Sequence, residues 1–305
     1  MIAGGMPRIV WGQRFHGEQQ QTNHPYSDDL VLHAIPSSGE VLPAIGLGTY
    51  ITFNVGPSQK LRQDRKQLLQ VFFDEGGGLV DSSPMYGTSE SVLGYALERV
   101  QTHNRLFSAT KVWTHSTSEG LEQVNDSLRL WGRSVIDLEQ VHNLVNWKAH
   151  LNTLRDLKAK GKIRYIGVTT SHGRRHDELE RILRSTPLDF VQLTFNAASR
   201  GTMERLIPLA RDKGIAVIAN RPYAGGQLIK TLKKKTLPEW AQEVGIHNAA
   251  DFLLKYIIAQ PGITCAIPAT SNVSHLKENM RAMRGRLPDI QERKRMLDYL
   301  EREIF

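Results

Sequence analysis

The chain has 305 residues, with 39 Lys plus Arg against 31 Asp plus Glu and a formal net charge of +8. With 40% hydrophobic and 23% charged residues, the composition excludes wholesale disorder, collagen-like repeats and a disulfide scaffold. A pI near 9.6 raises nucleic-acid binding, but Arg174-Arg175, Lys233-Lys234-Lys235 and the mixed-charge C-terminal run form no continuous basic stripe with interleaved aromatics and read as solvated faces.

Residues 1–28 read as a polar extension without the apolar core of a signal peptide, and residues 29–305 as one domain. No window approaches the roughly 18 apolar residues of a membrane span, so a cytoplasmic protein is expected. The segment LVLHAIPSSGEVLPA places two β-prone pieces about a Ser-Ser-Gly-Glu turn and predicts a hairpin. From residue 42 onward, nearly continuous apolar runs alternate with longer stretches of helical period, which indicates a parallel sheet covered by helices. Strands are predicted at 45–47, 79–81, 105–111, 137–142, 164–168, 190–193, 216–219 and 264–267, and eight is the number that closes a barrel. Helices are predicted at 59–74, 89–99, 118–131, 147–160, 176–184, 202–213, 248–258 and 273–280. Gly76-Gly77-Gly78, Lys160-Gly161 and Lys213-Gly214 supply helix stops, while Ser118 and Asp177 mark starts. An extra helix at 289–302 ends the chain. The expected fold class is α/β: a single (β/α)8 TIM barrel with an N-terminal β-hairpin cap and an extra C-terminal helix. The one cysteine, Cys265, lies in the apolar stretch GITCAIP and reads as a buried strand residue.

Catalytic groups of a parallel barrel sit at the C-terminal ends of its strands. The second strand ends in Asp81, with Tyr86 five residues on; the third ends in Lys111 and the fourth in His142. Each has a bland alternative: Asp81 in a loop-starting turn, Tyr86 as a packing aromatic, His142 as a core histidine. Lys111 is harder to explain that way, because burying an unpaired ammonium costs several kcal/mol on the usual estimate. A metal shared by Asp81 and His142 would have Lys111 between its ligands and no further carboxylate or imidazole cluster, so no metal is expected.

The order Asp, Tyr, Lys, His, together with PAIGLGTY, the run SSPMYGTSESVLGYALE after Asp81, ATKVW, KGKIRYIGVTTS and IPATSNVSHLKENM, resembles the aldo-keto reductase superfamily over about residues 30–300. The resemblance implies an oxidoreductase that uses NADPH to reduce aldehyde or ketone carbonyls to alcohols by hydride transfer. Tyr86 would be the general acid; its phenol, ordinarily near pKa about 10, would be made more acidic by Lys111, which Asp81 would hold in place. His142 would donate a hydrogen bond to the substrate oxygen.

A Rossmann fingerprint is absent, since GLGTY lacks the third glycine. By resemblance, Gly48, Thr49 and Tyr50 lie near the nicotinamide ribose, and Thr169, Thr170 and Gln192 bind the carboxamide. Thr170 stands where relatives carry Asn, and Asn220 where many carry a ring-stacking Tyr; Arg221 is the candidate replacement, on the ring or the pyrophosphate. Pro222, Tyr223, Gly225 and Gly226 would form the diphosphate loop. Ala269, Thr270, Ser271, His275, Glu278 and Asn279 occupy the adenosine-phosphate segment. Ala269 and His275 replace the Lys and Arg of some branches, but other branches with small and polar residues there still take NADPH, with backbone N–H groups at a helix N-terminus supporting the phosphate, so the resemblance favours NADP(H) over NAD(H).

Phe53, Met85, Trp113 and Trp147 are the expected apolar walls of the substrate pocket and suit an aromatic or aliphatic carbonyl compound. The expected partner is that small molecule, with no nucleic acid and no membrane, and the resemblance favours a monomer. The alternative is a nicotinamide-cofactor-sensing regulatory or partner-binding protein with slow turnover, for which the departures at Thr170 and Asn220 leave room. A barrel hydrolase or lyase lacks paired strand-end carboxylates and a Ser-His pair.

Overall fold

The computed structural model describes residues 26–305 apart from 28 and 102–104. Apart from Tyr26 and Ser27, the expected N-terminal extension lies outside the described residues. Strands β1 (Leu32–Ala34) and β2 (Val41–Pro43) pair antiparallel, with Leu32 opposite Pro43 and Ala34 opposite Val41. The hairpin seals the barrel floor: Ile35 and Leu42 are buried in one cluster with Leu79, Phe107, Leu138, Tyr165 and Phe190. Arg164 ties it down by reaching both Glu40 and Asp137.

The remaining strands are β3 (Leu47–Gly48), β4 (Leu79–Asp81), β5 (Phe107–Val112), β6 (Ile136–Val141), β7 (Ile163–Thr169), β8 (Phe190–Thr194), β9 (Ala216–Asn220) and β10 (Ile263–Ala266). They lie in sequential order in one parallel sheet. The sheet closes on itself: Gly46 N–H donates to Ala266 O at 2.9 Å and Gly48 N–H to Pro268 O at 3.0 Å, with parallel bridges Ile45 to Ala266 and Gly48 to Ala269. The fold is the expected (β/α)8 barrel.

Because strand side chains alternate between faces, every second residue points into the barrel. Near the floor these are apolar: Leu79, Phe107, Leu138, Tyr165 and Phe190. Toward the carboxyl ends, the same faces carry Asp81, Lys111, Gln140 and Gln192, which are buried and joined by hydrogen bonds. Polar groups that need partners inside a protein are thus gathered at the mouth.

Helices α1 (Gln59–Asp74), α2 (Ser89–Leu97), α3 (Thr117–Leu130), α4 (Trp147–Ala159), α5 (His176–Ser185), α6 (Leu206–Asp212), α7 (Gln227–Leu232), α8 (Trp240–Glu243), α9 (Ala249–Ile258), α10 (Val273–Arg281) and α11 (Ile290–Glu303) follow in chain order. Their buried faces pack on the outside of the sheet through Leu68, Phe72, Val124, Leu154, Ile182 and Phe252, each such side chain contributing about 1.5–3 kcal/mol on removal from water. Helices α2 and α3 meet at Gly94, where a Cβ would stand 1.8 Å from Leu130 O. The C-terminal α11 begins with a capping box between Asp289 and Glu292.

Several boundaries differ from expectation. Helix α3 starts at Thr117 because Ser116, not Ser118, is the N-cap, accepting Glu119 N–H at 3.3 Å. Helix α6 starts at Leu206 rather than 202, since Thr202 O accepts from Leu206 and Ile207 in a preceding run of turns. Strand β6 stops at Val141, and His142 opens a 3-10 turn over His142–Leu144. The short α7 and α8 were not anticipated.

Candidate active site

Asp81 ends β4, and the next residues make the 3-10 turn Pro84–Tyr86, capped by Ser83. Lys111 projects inward from β5 beside it. Its Nζ donates to Asp81 Oδ2 at 2.7 Å and to Ser82 O at 2.6 Å, and it also interacts with the Tyr86 hydroxyl, lying 5.2 Å from that ring's centroid. The other Asp81 oxygen accepts from Gln192 Nε2 at 2.8 Å and Gln140 Nε2 at 3.4 Å. A buried charge so paired keeps its ionised form: Asp81 and Tyr86 outweigh burial and raise the Lys111 ammonium above its ordinary value.

The Tyr86 ring lies edge-on to Tyr50 at 5.1 Å and to His142 at 5.9 Å between centroids. Burial raises its phenol above the usual 10.0, and Lys111 is the largest opposing influence. The acidification expected from Lys111 alone is overtaken by desolvation, so Tyr86 remains a proton donor. His142 goes the other way: burial, then Lys111, push its imidazole down to about 3, which keeps it neutral. Its Nδ1 stands 3.1 Å from Ser83 Oγ. The four side chains singled out in the sequence therefore meet at one end of the barrel. Among the described residues no cluster of three His, Cys, Asp or Glu side chains could hold a metal ion.

Residues expected around a cofactor fall into three groups. Gly48, Thr49 and Tyr50 leave β3; the Thr49 hydroxyl is within hydrogen-bond distance of Asp81 O and Ser82 Oγ, at 3.0 and 2.9 Å, while Tyr50 is 53% exposed. Thr169 Oγ1 accepts Asn143 N–H at 3.1 Å, but Thr170 Oγ1 is buried with no partner among the described residues. Gln192 is held between Asp81 and Asn220, whose Nδ2 also donates to Thr170 O at 2.9 Å. Asn220 Oδ1 in turn accepts from Thr194 Oγ1 at 2.7 Å.

In the β9 loop, Arg221, Gly225 and Gly226 have φ of 54, 73 and 92°, a left-handed path that favours glycine. Pro222 is buried beneath it. Tyr223 is buried too and donates its hydroxyl to Asn279 Oδ1 at 2.6 Å, and Lys233 pairs with Glu278 at 3.5 Å. These contacts join the loop to α10, so Tyr223 and Asn279 serve one another. Ala269, Ser271 and His275 are exposed and Thr270 is buried; Asn272 caps α10 by accepting the Ser274 and His275 N–H groups.

Of the expected pocket walls, Met85 and Trp113 stand at the mouth 37% and 43% exposed. Trp147 opens α4 and donates to Glu178 Oε1 at 3.1 Å. Phe53 is fully buried in the core between sheet and helices; an apolar loop residue there was drawn inward by packing, which removes it from the pocket. Sequence reasoning missed Ser83, Gln140 and Thr194. For the two strand residues the signal was parity: Gln140 and Thr194 share the inward face with Leu138 and Gln192.

The sequence profile of the Aldo/keto reductase family matches residues 44–294, and the chain belongs to that family. Among individual proteins, it is 27% identical over 251 residues to the methylglyoxal reductase YeaE of Escherichia coli, spanning 80% of this chain and 87% of that protein. It is 25% identical to the NADH-specific methylglyoxal reductase of the same organism, over 78% of this chain and 83% of the other. The crystal structure of an aldo/keto reductase from Klebsiella pneumoniae with NADP and acetate superposes with a TM-score of 0.72 at 26% identity, covering 86% of this chain and 92% of that one.

Proposed function

We propose that this oxidoreductase is an NADPH-dependent carbonyl reductase, with Tyr86 as general acid, Lys111 and Asp81 as its electrostatic support and His142 as donor to the carbonyl oxygen. The observation that carries this reading is the fully buried Lys111 Nζ, 2.7 Å from Asp81 Oδ2 and beside the Tyr86 phenol. With Asp81 as its partner, that ammonium stays charged beside the phenol, where it acts electrostatically.

A bound reduced nicotinamide would supply the hydride. Tyr86 delivers its proton to the oxygen as negative charge grows there, and the ammonium of Lys111 stabilises the phenolate left behind. Asp81 keeps Lys111 charged and fixed. Neutral His142 orients the oxygen by hydrogen bonding.

The buried Thr170 Oγ1, which has no hydrogen-bond partner among the described residues, fits a carboxamide that would supply one. The left-handed glycines Gly225 and Gly226 with Arg221 fit a diphosphate. The NADP complex of the Klebsiella structure supports the phosphorylated cofactor. For the substrate, the Escherichia coli relatives and the open apolar rim of Tyr50, Met85 and Trp113 support small ketoaldehydes of the methylglyoxal kind.

Steady-state reduction of methylglyoxal and of aromatic aldehydes, run in parallel with NADPH and NADH, tests the proposal. A higher kcat/KM with NADPH is expected. A preference for NADH overturns the cofactor assignment, and tight cofactor binding without turnover favours the sensing alternative.

A further inference from the structure

The His142 ring makes one hydrogen bond to the protein among the described residues, at 3.1 Å between Nδ1 and Ser83 Oγ. Ser83 is fully buried, and its Oγ accepts the Met85 N–H at 3.4 Å as the cap of the turn that carries Tyr86. Counting donors and acceptors decides which atom owns the shared proton. If Nδ1 donated, the Ser83 hydroxyl hydrogen would be buried without an acceptor among the described residues. If Ser83 donates, its own lone pair takes Met85 N–H, Nδ1 accepts, and the single ring hydrogen stands on Nε2.

We propose that Ser83 is a positioning residue that fixes His142 as the Nε2–H tautomer and so gives the site its donor to the carbonyl oxygen. The inference rests on the reductase reading for its purpose, and on the hydrogen-bond geometry alone for the tautomer. One short segment, from Asp81 to Tyr86, thereby sets the Lys111 partner, the histidine tautomer and the proton donor together. A second neighbour that orients an imidazole in this way acts through it without touching substrate.

The test joins nitrogen-15 NMR of histidine-labelled protein at neutral pH, with His142 assigned by loss of its signals in His142→Gln, to kcat and KM for wild type and Ser83→Ala. The wild-type ring is expected to show a protonated Nε2 and a hydrogen-bonded, unprotonated Nδ1. In Ser83→Ala the Nδ1 resonance moves to that of an unbonded nitrogen or a tautomer mixture. kcat falls about tenfold, as for loss of one buried hydrogen bond, with KM changed less than about twofold. A proton on Nδ1 in the wild type, an Nδ1 resonance indifferent to Ser83→Ala, or an unchanged kcat in an active enzyme overturns the proposal. The spectrum needs no substrate, so a wild type with the expected spectrum but no turnover contradicts the reductase reading and leaves the tautomer assignment standing.

Discussion

Lys111 Nζ and Asp81 Oδ2 lie 2.7 Å apart with their side chains 0% and 3% exposed, so neither charge survives well without the other. Lys111→Met leaves the Asp81 carboxylate buried and is expected to cost about 3–5 kcal/mol and to abolish turnover. The double variant Lys111→Met/Asp81→Asn recovers much of that stability and none of the activity. Urea denaturation of the three proteins checks the first claim and initial rates the second; full stability in Lys111→Met contradicts the pairing argument.

The pH profile follows from two displaced groups. His142 is pushed down to about 3 from 6.5, so the reduction rate shows no inflection near neutrality. Tyr86 lies above 10.0, and an acid must be protonated to donate, so reduction declines only beyond that pH, whereas alcohol oxidation, which needs the phenolate, rises toward it. For stability the sign is opposite to a stabilised cation: between about 3 and 6.5 the unfolded chain binds a proton that native His142 does not, so His142 contributes a loss of stability as pH falls through that window.

Glu139 is the clearest misfit in the fold. It points outward from β6 into the layer of α2 and α3, wholly buried, with both carboxyl oxygens unpartnered among the described residues. Burial, then the charge of Glu90, raises it well above 4.5. Its folded value exceeds its unfolded one, so the wild type loses stability as pH rises above about 4.5. Glu139→Gln is expected to raise stability at pH 7 by roughly 1–3 kcal/mol, the gain shrinking to nothing in acid. Thermal melts across pH check this, and a gain independent of pH counts against it.

Thr170→Val removes a hydroxyl that has no partner among the described residues. Its melting temperature is expected to hold or rise, while the cofactor Kd increases about fivefold, the worth of one hydrogen bond. Fluorescence titration decides: unchanged affinity removes Thr170 from the carboxamide site.

The barrel strands and the four mouth residues were legible because period and strand-end polarity are local properties. What stayed hidden depended on packing across the chain. Phe53 could face pocket or core, and only the barrel wall drew it inward. Gln192 and Asn220 read as cofactor ligands, yet their amides also serve Asp81 and Thr194. Helices α7 and α8 follow Gly225-Gly226 in the run QLIKTLKKKTLPEWAQEVG, too short and charged to show a clear period.

The most direct test of the account is single-turnover consumption of NADPH with methylglyoxal by wild type and Tyr86→Phe side by side, with cofactor affinity measured on both. Equal NADPH binding is expected, with a rate reduced by about a hundredfold or more in Tyr86→Phe, the usual worth of a general acid. A Tyr86→Phe protein that consumes NADPH at the wild-type rate would contradict it.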